Sequence, residues 1–344
     1  MLIVKFTDQN GTSMLLSSNN SLKKEILNNQ LSFEICQSED RYLYLVPSSF
    51  NYLDLADTSP ISLEELTHLL QSQSGSFSLK NIHQSIISFM KLNPTAEHRY
   101  LIERNLLPSF EIPNDRYALP IDFSDKFKRE VPDTLMHCWA WEKAKSIFPK
   151  TNRLVSVMLN NTPNAVSIQN GSAISGSQSD GGLEGLSGLL TCGEIDPDFI
   201  IQLAQKGYRP SDIENIFNNN SGWSSLDSKV QSINDIFYLP ESLSSRLFQH
   251  QLKKSIGSLI STMKGVDTLV FFNDRPELCV PWLQPIFQSL EFLGFSKSTE
   301  YQEIGPAIFM LNSNHSSINA LLLPNAPSQA MVELFPSANL LDLT

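Results

Sequence analysis

The chain has 344 residues, 25 Lys+Arg against 36 Asp+Glu for a formal net charge of −11, 41 % apolar side chains and 15 Gly. That length allows two domains of ~100–200 residues each, the apolar fraction excludes wholesale disorder, and the acidic balance argues against a general binder of phosphate backbones. Glycine is scarce, about 4 % where soluble proteins carry about 7 %, and phosphate-cradling loops need glycine so that backbone N–H groups can approach the anion.

The opening runs LIVKF, GTSMLLSS and QLSFEICQSEDRYLYLVPSS are short and β-rich, broken by Asn, Gly and Ser, and predict an antiparallel meander or hairpins. From Ser62 to about Leu92 the pattern is helical. SLEELTHLLQSQ opens on a serine with Glu64 and Glu65 in its first turn, and Ile82, Ile86, Phe89 and Met90 share one side of the next stretch. AEHRYLIERNLL reads as a helix ending at Pro108, YALPIDF as a buried strand, and DTLMHCWAWEKAKSIF as another helix. A second block begins near Arg153, where LVSVMLNN and NAVSIQNG alternate as a hairpin, followed by a glycine-rich stretch up to Gly188. DPDFIIQLAQKG has Asp196–Pro197 at its start and Gly207 after its last periodic residue, the asymmetry of helix ends. PSDIENIFNNNSG is a second helix, and SRLFQHQLKKSIGSLISTMKG a long amphipathic one running into the apolar strand DTLVFF. PWLQPIFQSLEFLGF is helical after its prolines, NALLLP a last buried strand and QAMVELF a last helix. Strands mixed with helices in two blocks indicate α/β architecture, and no internal repeat is visible.

Cys36, Cys138, Cys192 and Cys279 lie far apart, with no CxxC pair and no His at metal spacing, so neither a disulfide scaffold nor a zinc knuckle is expected. MLIVKFTDQNG lacks a basic n-region and a long h-region, and no window reaches ~18 consecutive apolar residues. The expectation is a cytoplasmic chain without signal peptide, membrane span or nucleic-acid partner. His68, His83, His98, His250 and His315 have no partners at metal or triad spacing and read as surface or core residues.

The run from Met158 to Ile200, MLNNTPNAVSIQNGSAISGSQSDGGLEGLSGLLTCGEIDPDFI, resembles the acetate kinase family. Leu183-Glu184-Gly185-Leu186 matches that family's LEGL, and Gly193-Glu194-Ile195-Asp196-Pro197 its GDIDP. SLEFLGF is similar to GLEFLGI, NALLLPNAPSQAMVEL to the late strand ending IPTNEEL, and LNPTAEHRYLIERNLL…ALPIDF to HNPPNLLGIEAF…VAVFDTAF. The likeness is closest over 155–225, weaker over 91–135 and 246–335, and weakest over 1–90. It implies the duplicated actin/hexokinase-like (ribonuclease H-like) fold, shortened. One domain would be 1–135 with 326–344, the other 136–325 carrying a dimer interface, and the activity would be transfer of the ATP γ-phosphoryl to a short acid with Mg²⁺.

The residues that the resemblance assigns to this chemistry are largely replaced. The arginine of GTRSG falls on Thr191, the histidines of HLGNG and HNP on Met158 and Leu92, and the second arginine has no counterpart. Threonine carries none of the charge with which an arginine fork holds a carboxylate or phosphoryl group. Of the Gly-Asn-Gly-Gly positions, Asn160-Asn161-Thr162-Pro163 keeps Asn161; of GGIGEN, Asn273–Leu278 keeps Glu277. The metal-linked glutamate falls on Pro327 or Ser328, so no metal ligand is assigned. Gly11, Thr12 and Ser13 can stand for the first phosphate loop, whose asparagine position is Gln9. Asp122 and His137 are the candidate catalytic remnants, with a strand-end cap and a core histidine as their alternative roles. The pattern reads as a pseudoenzyme acting in binding or assembly, as a homodimer or a heterodimer with an active paralogue. Two other readings stay open: a divergent acyl kinase drawing cations from Arg275, Lys126, Lys128 and Arg129, with ATP and Mg²⁺ as cofactors, or a nucleotide binder without turnover.

Overall fold

The computed structural model describes residues 2–6, 13–17, 22–26, 41–46, 62, 86–87, 90–91, 94–107, 116–124, 129, 131–177 and 184–334. It divides into two compact units, Met1–Leu106 with Asp133–Trp139 and Ala326–Thr344, and Leu107–Pro132 with Ala140–Asn325.

The first unit holds a five-stranded sheet, β1 (Leu2–Phe6), β2 (Ser13–Ser17), β3 (Leu22–Ile26), β4 (Arg41–Val46) and β5 (Glu97–Ile102), in the order β3-β2-β1-β4-β5. β1, β2 and β3 pair antiparallel as expected, but β4 lies parallel to β1, so the opening is not a simple meander. The segment read as a helix before Pro108 is strand β5, followed by a 3₁₀ turn at Glu103–Leu106. Local propensity lost to tertiary pairing: all six residues of β5 sit in register with β4, and buried His98 shares a 2.8 Å hydrogen bond with the Tyr44 hydroxyl. Helix α1 (Thr134–Ile147) begins in this unit, where the Glu103 carboxylate accepts the Leu135 N–H at its positive end and the Trp139 indole donates to Glu333. Most of the helical stretch expected over 62–92 lies outside the described residues; Ile86, Ile87, Met90 and Lys91 are helical.

The second unit is built on seven strands, β6 (Arg153–Met158), β7 (Asn164–Gln169), β8 (Ser172–Gly176), β9 (Thr268–Phe272), β10 (Lys297–Gly305), β11 (Ile308–Asn312) and β12 (Asn319–Leu323), ordered β10-β11-β12-β9-β6-β7-β8. β6–β7 and β7–β8 are antiparallel while β6, β9 and β12 run parallel. The string β8-β7-β6-β9-β12 therefore repeats the directions and order of β3-β2-β1-β4-β5. The unit is a second edition of the first, with β11 and β10 added at one edge. Its helices are α2 (Asp198–Gln205), α3 (Pro210–Asn219), α4 (Gly222–Leu226), α5 (Ile233–Tyr238), α6 (Leu243–Thr262), α7 (Pro276–Trp282) and α8 (Gln284–Gln288).

Two expectations fail here. YALPIDF is not a buried strand: Pro120 has no N–H for a ladder, its carbonyl accepts the Phe123 N–H, and Ile121–Ser124 forms one helical turn with Ile121 76 % exposed. GSAISG, read only as glycine-rich chain, is strand β8. By contrast α6 matches its periodicity, burying Phe248, Leu252, Ile256 and Leu259 on the sheet. Short hydroxyls satisfy the buried indoles beneath it: Trp282 donates to Ser245 and Trp223 to Ser187.

Candidate functional site

In an open α/β sheet, ligands bind beyond the carboxyl ends of the parallel strands, because loops diverge there. In the second unit those are the loops after β6, β9 and β12, and side chains lace them together. Buried Asn273 donates from Nδ2 to the Leu159 carbonyl (2.9 Å) and accepts the Arg275 N–H on Oδ1 (2.8 Å), while its own N–H bonds the Leu323 carbonyl (3.0 Å). Asp274 accepts the Asn325 N–H at 2.7 Å. After β6, Asn160 accepts the Thr162 N–H and Pro163 has none to offer. The loop 185–193 packs on this one: Leu189 N–H bonds the Asn161 carbonyl, and Thr191 accepts the Gly188 N–H. The backbone donors of Thr162, Gly188, Leu189, Arg275 and Asn325 are thus bonded within the protein.

The predicted residues are divided between the two units, His137 and Ser13 in the first and Asp122, Asn161 and Glu277 in the second. Asn161 lies on the loop following β6, and Glu277 in the first turn of α7, the helix that follows the adjacent strand β9. The Asn161 side chain caps α5 by accepting the Ile233 N–H at 2.8 Å. Glu277 is exposed and paired with Arg275 at 2.5 Å, which holds its carboxyl below the usual range and the guanidinium above its own. Asp122 is exposed on the helical turn Ile121–Ser124, and His137 is fully buried in α1. Ser13 opens β2, whereas Gly11, Thr12, Lys126 and Lys128 lie outside the described residues. Arg129 is committed elsewhere in the unit, 3.0 Å from Glu184 and over the Tyr117 ring, whose hydroxyl donates to the same carboxylate. Sequence reasoning missed Asn273 and the Tyr117–Glu184–Arg129 cluster. The first has a readable signal, an Asn directly after a buried strand, where an Asx turn is favoured; the second joins residues remote in sequence.

The acetokinase family's sequence pattern matches residues 80–333. The chain belongs to the acetokinase family. It is 26 % identical over 221 residues to the acetate kinase of Thermoanaerobacterium thermosaccharolyticum, covering 60 % of this chain and 55 % of that protein. To the acetate kinase of Syntrophomonas wolfei it is 25 % identical over 246 residues, 68 % of this chain and 62 % of that protein. The chain thus matches less than two thirds of the length of these relatives. Among solved structures it resembles acetate kinase from Entamoeba histolytica (TM-score 0.74, 16 % identity, all of both chains) and a propionate kinase from Francisella tularensis (0.76, 16 %, 97 % of this chain and 98 % of that one). These likenesses carry the fold, the duplicated actin/hexokinase-like one, which the repeated strand order displays directly.

Pro327–Leu334 is a helix with no acid in its first turn, and among the described residues no three His, Cys, Asp or Glu side chains are grouped to hold a metal ion. Asp274 and Arg275 follow β9, and Glu277, in the first turn of α7, is paired with Arg275. Among the described residues no helix is long and apolar enough to cross a membrane.

Proposed function

We propose that this acetokinase-family protein acts by binding, in assembly with a second copy or an active paralogue, and has given up phosphoryl transfer to short carboxylic acids. The observation that carries the reading is the laced end of the second unit's parallel strands: Asn160, Asn273, Asp274 and Thr191 occupy backbone donors in the segments there, and Arg275 is held by Glu277. Loss of one donor to a developing oxyanion commonly costs about 2.7–4 kcal/mol, and each 1.36 kcal/mol is tenfold in rate. Replacement of both family arginines therefore removes most of the rate even when effects are not additive.

A second reading, a short-chain carboxylate kinase using ATP, draws on family membership and on relatives named acetate and propionate kinases. In it Asp122 and His137 are the candidate catalytic groups, and Asn161, Glu277 and the Gly11-Thr12-Ser13 turn contact nucleotide. Hydroxamate trapping of acyl phosphate from acetate or propionate with ATP and Mg²⁺ separates the two. We expect the enzyme-free rate and no ATP-dependent rise in melting temperature. Turnover above background that disappears in Arg275→Ala would overturn the proposal.

A further inference from the structure

The flank of α6 that faces the edge strand β8 is not packed. Gln251, Lys254, Ser255 and Ser258 recur at i, i+3, i+4 and i+7, so they share one face of the helix. β8 ends opposite them in Ser175 and Gly176, and small side chains on both walls leave the space between unfilled. The result is a cleft of about 220 Å³, closed by Glu184, Leu186 and Glu194. Its walls are tied together: the Glu194 N–H bonds the Gly185 carbonyl at 2.8 Å, and Gln251 Oε1 accepts both the N–H and the hydroxyl of Ser187. That double acceptance settles which way the Gln251 carboxamide faces, and its NH₂ group makes no hydrogen bond among the described residues. The hydroxyls of Ser175, Ser255 and Ser258 make none there either. Both carboxylates are already neutralised. Glu194 is 2.7 Å from Lys254, and Glu184 is 3.0 Å from Arg129 and accepts the Tyr117 hydroxyl.

We propose that this cleft is a binding site for a neutral cyclic polyol the size of a monosaccharide. Volume sets the size: at ~30 Å³ per water there is room for about seven, less than the ~300–1,000 Å³ of sites for drug-sized ligands. Charge sets the class. Glu184 and Glu194 against Arg129 and Lys254 leave no net charge, so an ion finds no free partner and still loses its water. Hydroxyl groups find what they need. Ser175, Ser255 and Ser258 donate or accept, the Gln251 amide donates, and the carboxylates keep unused lone pairs. Leu186 and Leu259, both buried, give the C–H face of a ring an apolar floor. None of Asn160, Thr191, Asn273, Asp274 and Arg275 lines the cleft, so the site goes beyond the proposed function and does not rest on it.

Methyl-resolved NMR on the full chain tests it, with glucose, mannose, galactose and myo-inositol each titrated to tens of millimolar. At least one should shift the methyl signals of Leu186 and Leu259 and leave those of Leu269 and Leu322, in β9 and β12, in place. Glucuronate and glucosamine, the anionic and cationic counterparts, should bind at least ~10-fold more weakly, for want of a free ion partner. Ser255→Ala should weaken binding about tenfold, the loss of one hydrogen bond. Ser258→Trp, an exposed position, should abolish it by filling the cleft, and circular dichroism verifies that both variants fold. No shift with any of the four polyols, shifts confined to other methyls, a Ser258→Trp protein that binds as tightly as wild type, or charged sugars that bind as tightly as neutral ones overturns the proposal. Acyl phosphate formation would refute the proposed function and leave this site standing.

Discussion

Replacing Asn273 by alanine cuts the tie between the loops that follow β6 and β9. Its buried carboxamide makes two hydrogen bonds, to the Leu159 carbonyl and from the Arg275 N–H. Each contributes about 1 kcal/mol net, and a buried carbonyl left without its donor adds about 1–3 kcal/mol. We expect a loss of about 3 kcal/mol, a urea midpoint lower by roughly 1 M at a slope of about 3 kcal/mol/M. The fluorescence of buried Trp223 and Trp282, in the same unit, reports it. Asn273→Asp has the same shape but turns an oxygen toward the Leu159 carbonyl, so its carboxyl is held neutral and its folded pKa lies above the ordinary ~3.9. That penalty is full above the folded pKa and vanishes below the unfolded one. The aspartate variant therefore regains stability from pH 7 to pH 4 relative to the alanine variant. An alanine midpoint within a few tenths molar of wild type, or an aspartate penalty independent of pH, would refute the reasoning.

At the opposite ends of β6 and β9, Asp267 accepts the N–H groups of Asn152 and Arg153 and the Arg153 guanidinium at 2.6 Å. Burial pushes its carboxyl up, but the Arg153 side chain and the two amides outweigh burial and hold it below its ordinary value. Its stabilisation is thus present above the unfolded pKa of ~3.9 and lost as pH falls through the lower folded value. Asp267→Asn should cost about 1–2 kcal/mol at neutral pH and flatten that acid limb, checked by urea midpoints at pH 7 and pH 3. Two glycines test backbone conformation against space. Gly207 has φ +87 and nothing near its missing Cβ, so Gly207→Ala should lower stability by only about 1 kcal/mol. Gly193 has φ +71 with the Ser187 nitrogen 2.6 Å from that position, so Gly193→Ala should cost more than ~3 kcal/mol, seen as a lower melting temperature than for Gly207→Ala.

Much of the second unit was legible because its signals are local. The periodicity of α6, the apolar runs of β9 and β12, and Gly207 closing α2 each act within one element, where side-chain spacing and backbone freedom decide the outcome. β5 and the turn at Ile121–Ser124 were misread because both short segments hold mixed propensities, and a neighbouring strand or a proline carbonyl settled them. The family likeness in the sequence singles out Met158, Thr191 and Pro163 as positions to examine. The partners of Asn273 and Asp274 cannot be read there, since Leu159 and Asn325 are far away in the chain.

The order of matched segments carries, without coordinates, the likeness to the acetokinase family. Composition and motif order survive in a single string because they do not depend on folding. Tertiary structure alone decided that the two units repeat one strand order, that Asn273 and Asp274 tie the segments after β6, β9 and β12 together, and that α2 has no buried residue. Each of these is a relation between segments distant in sequence, and only packing brings such segments together or keeps them apart.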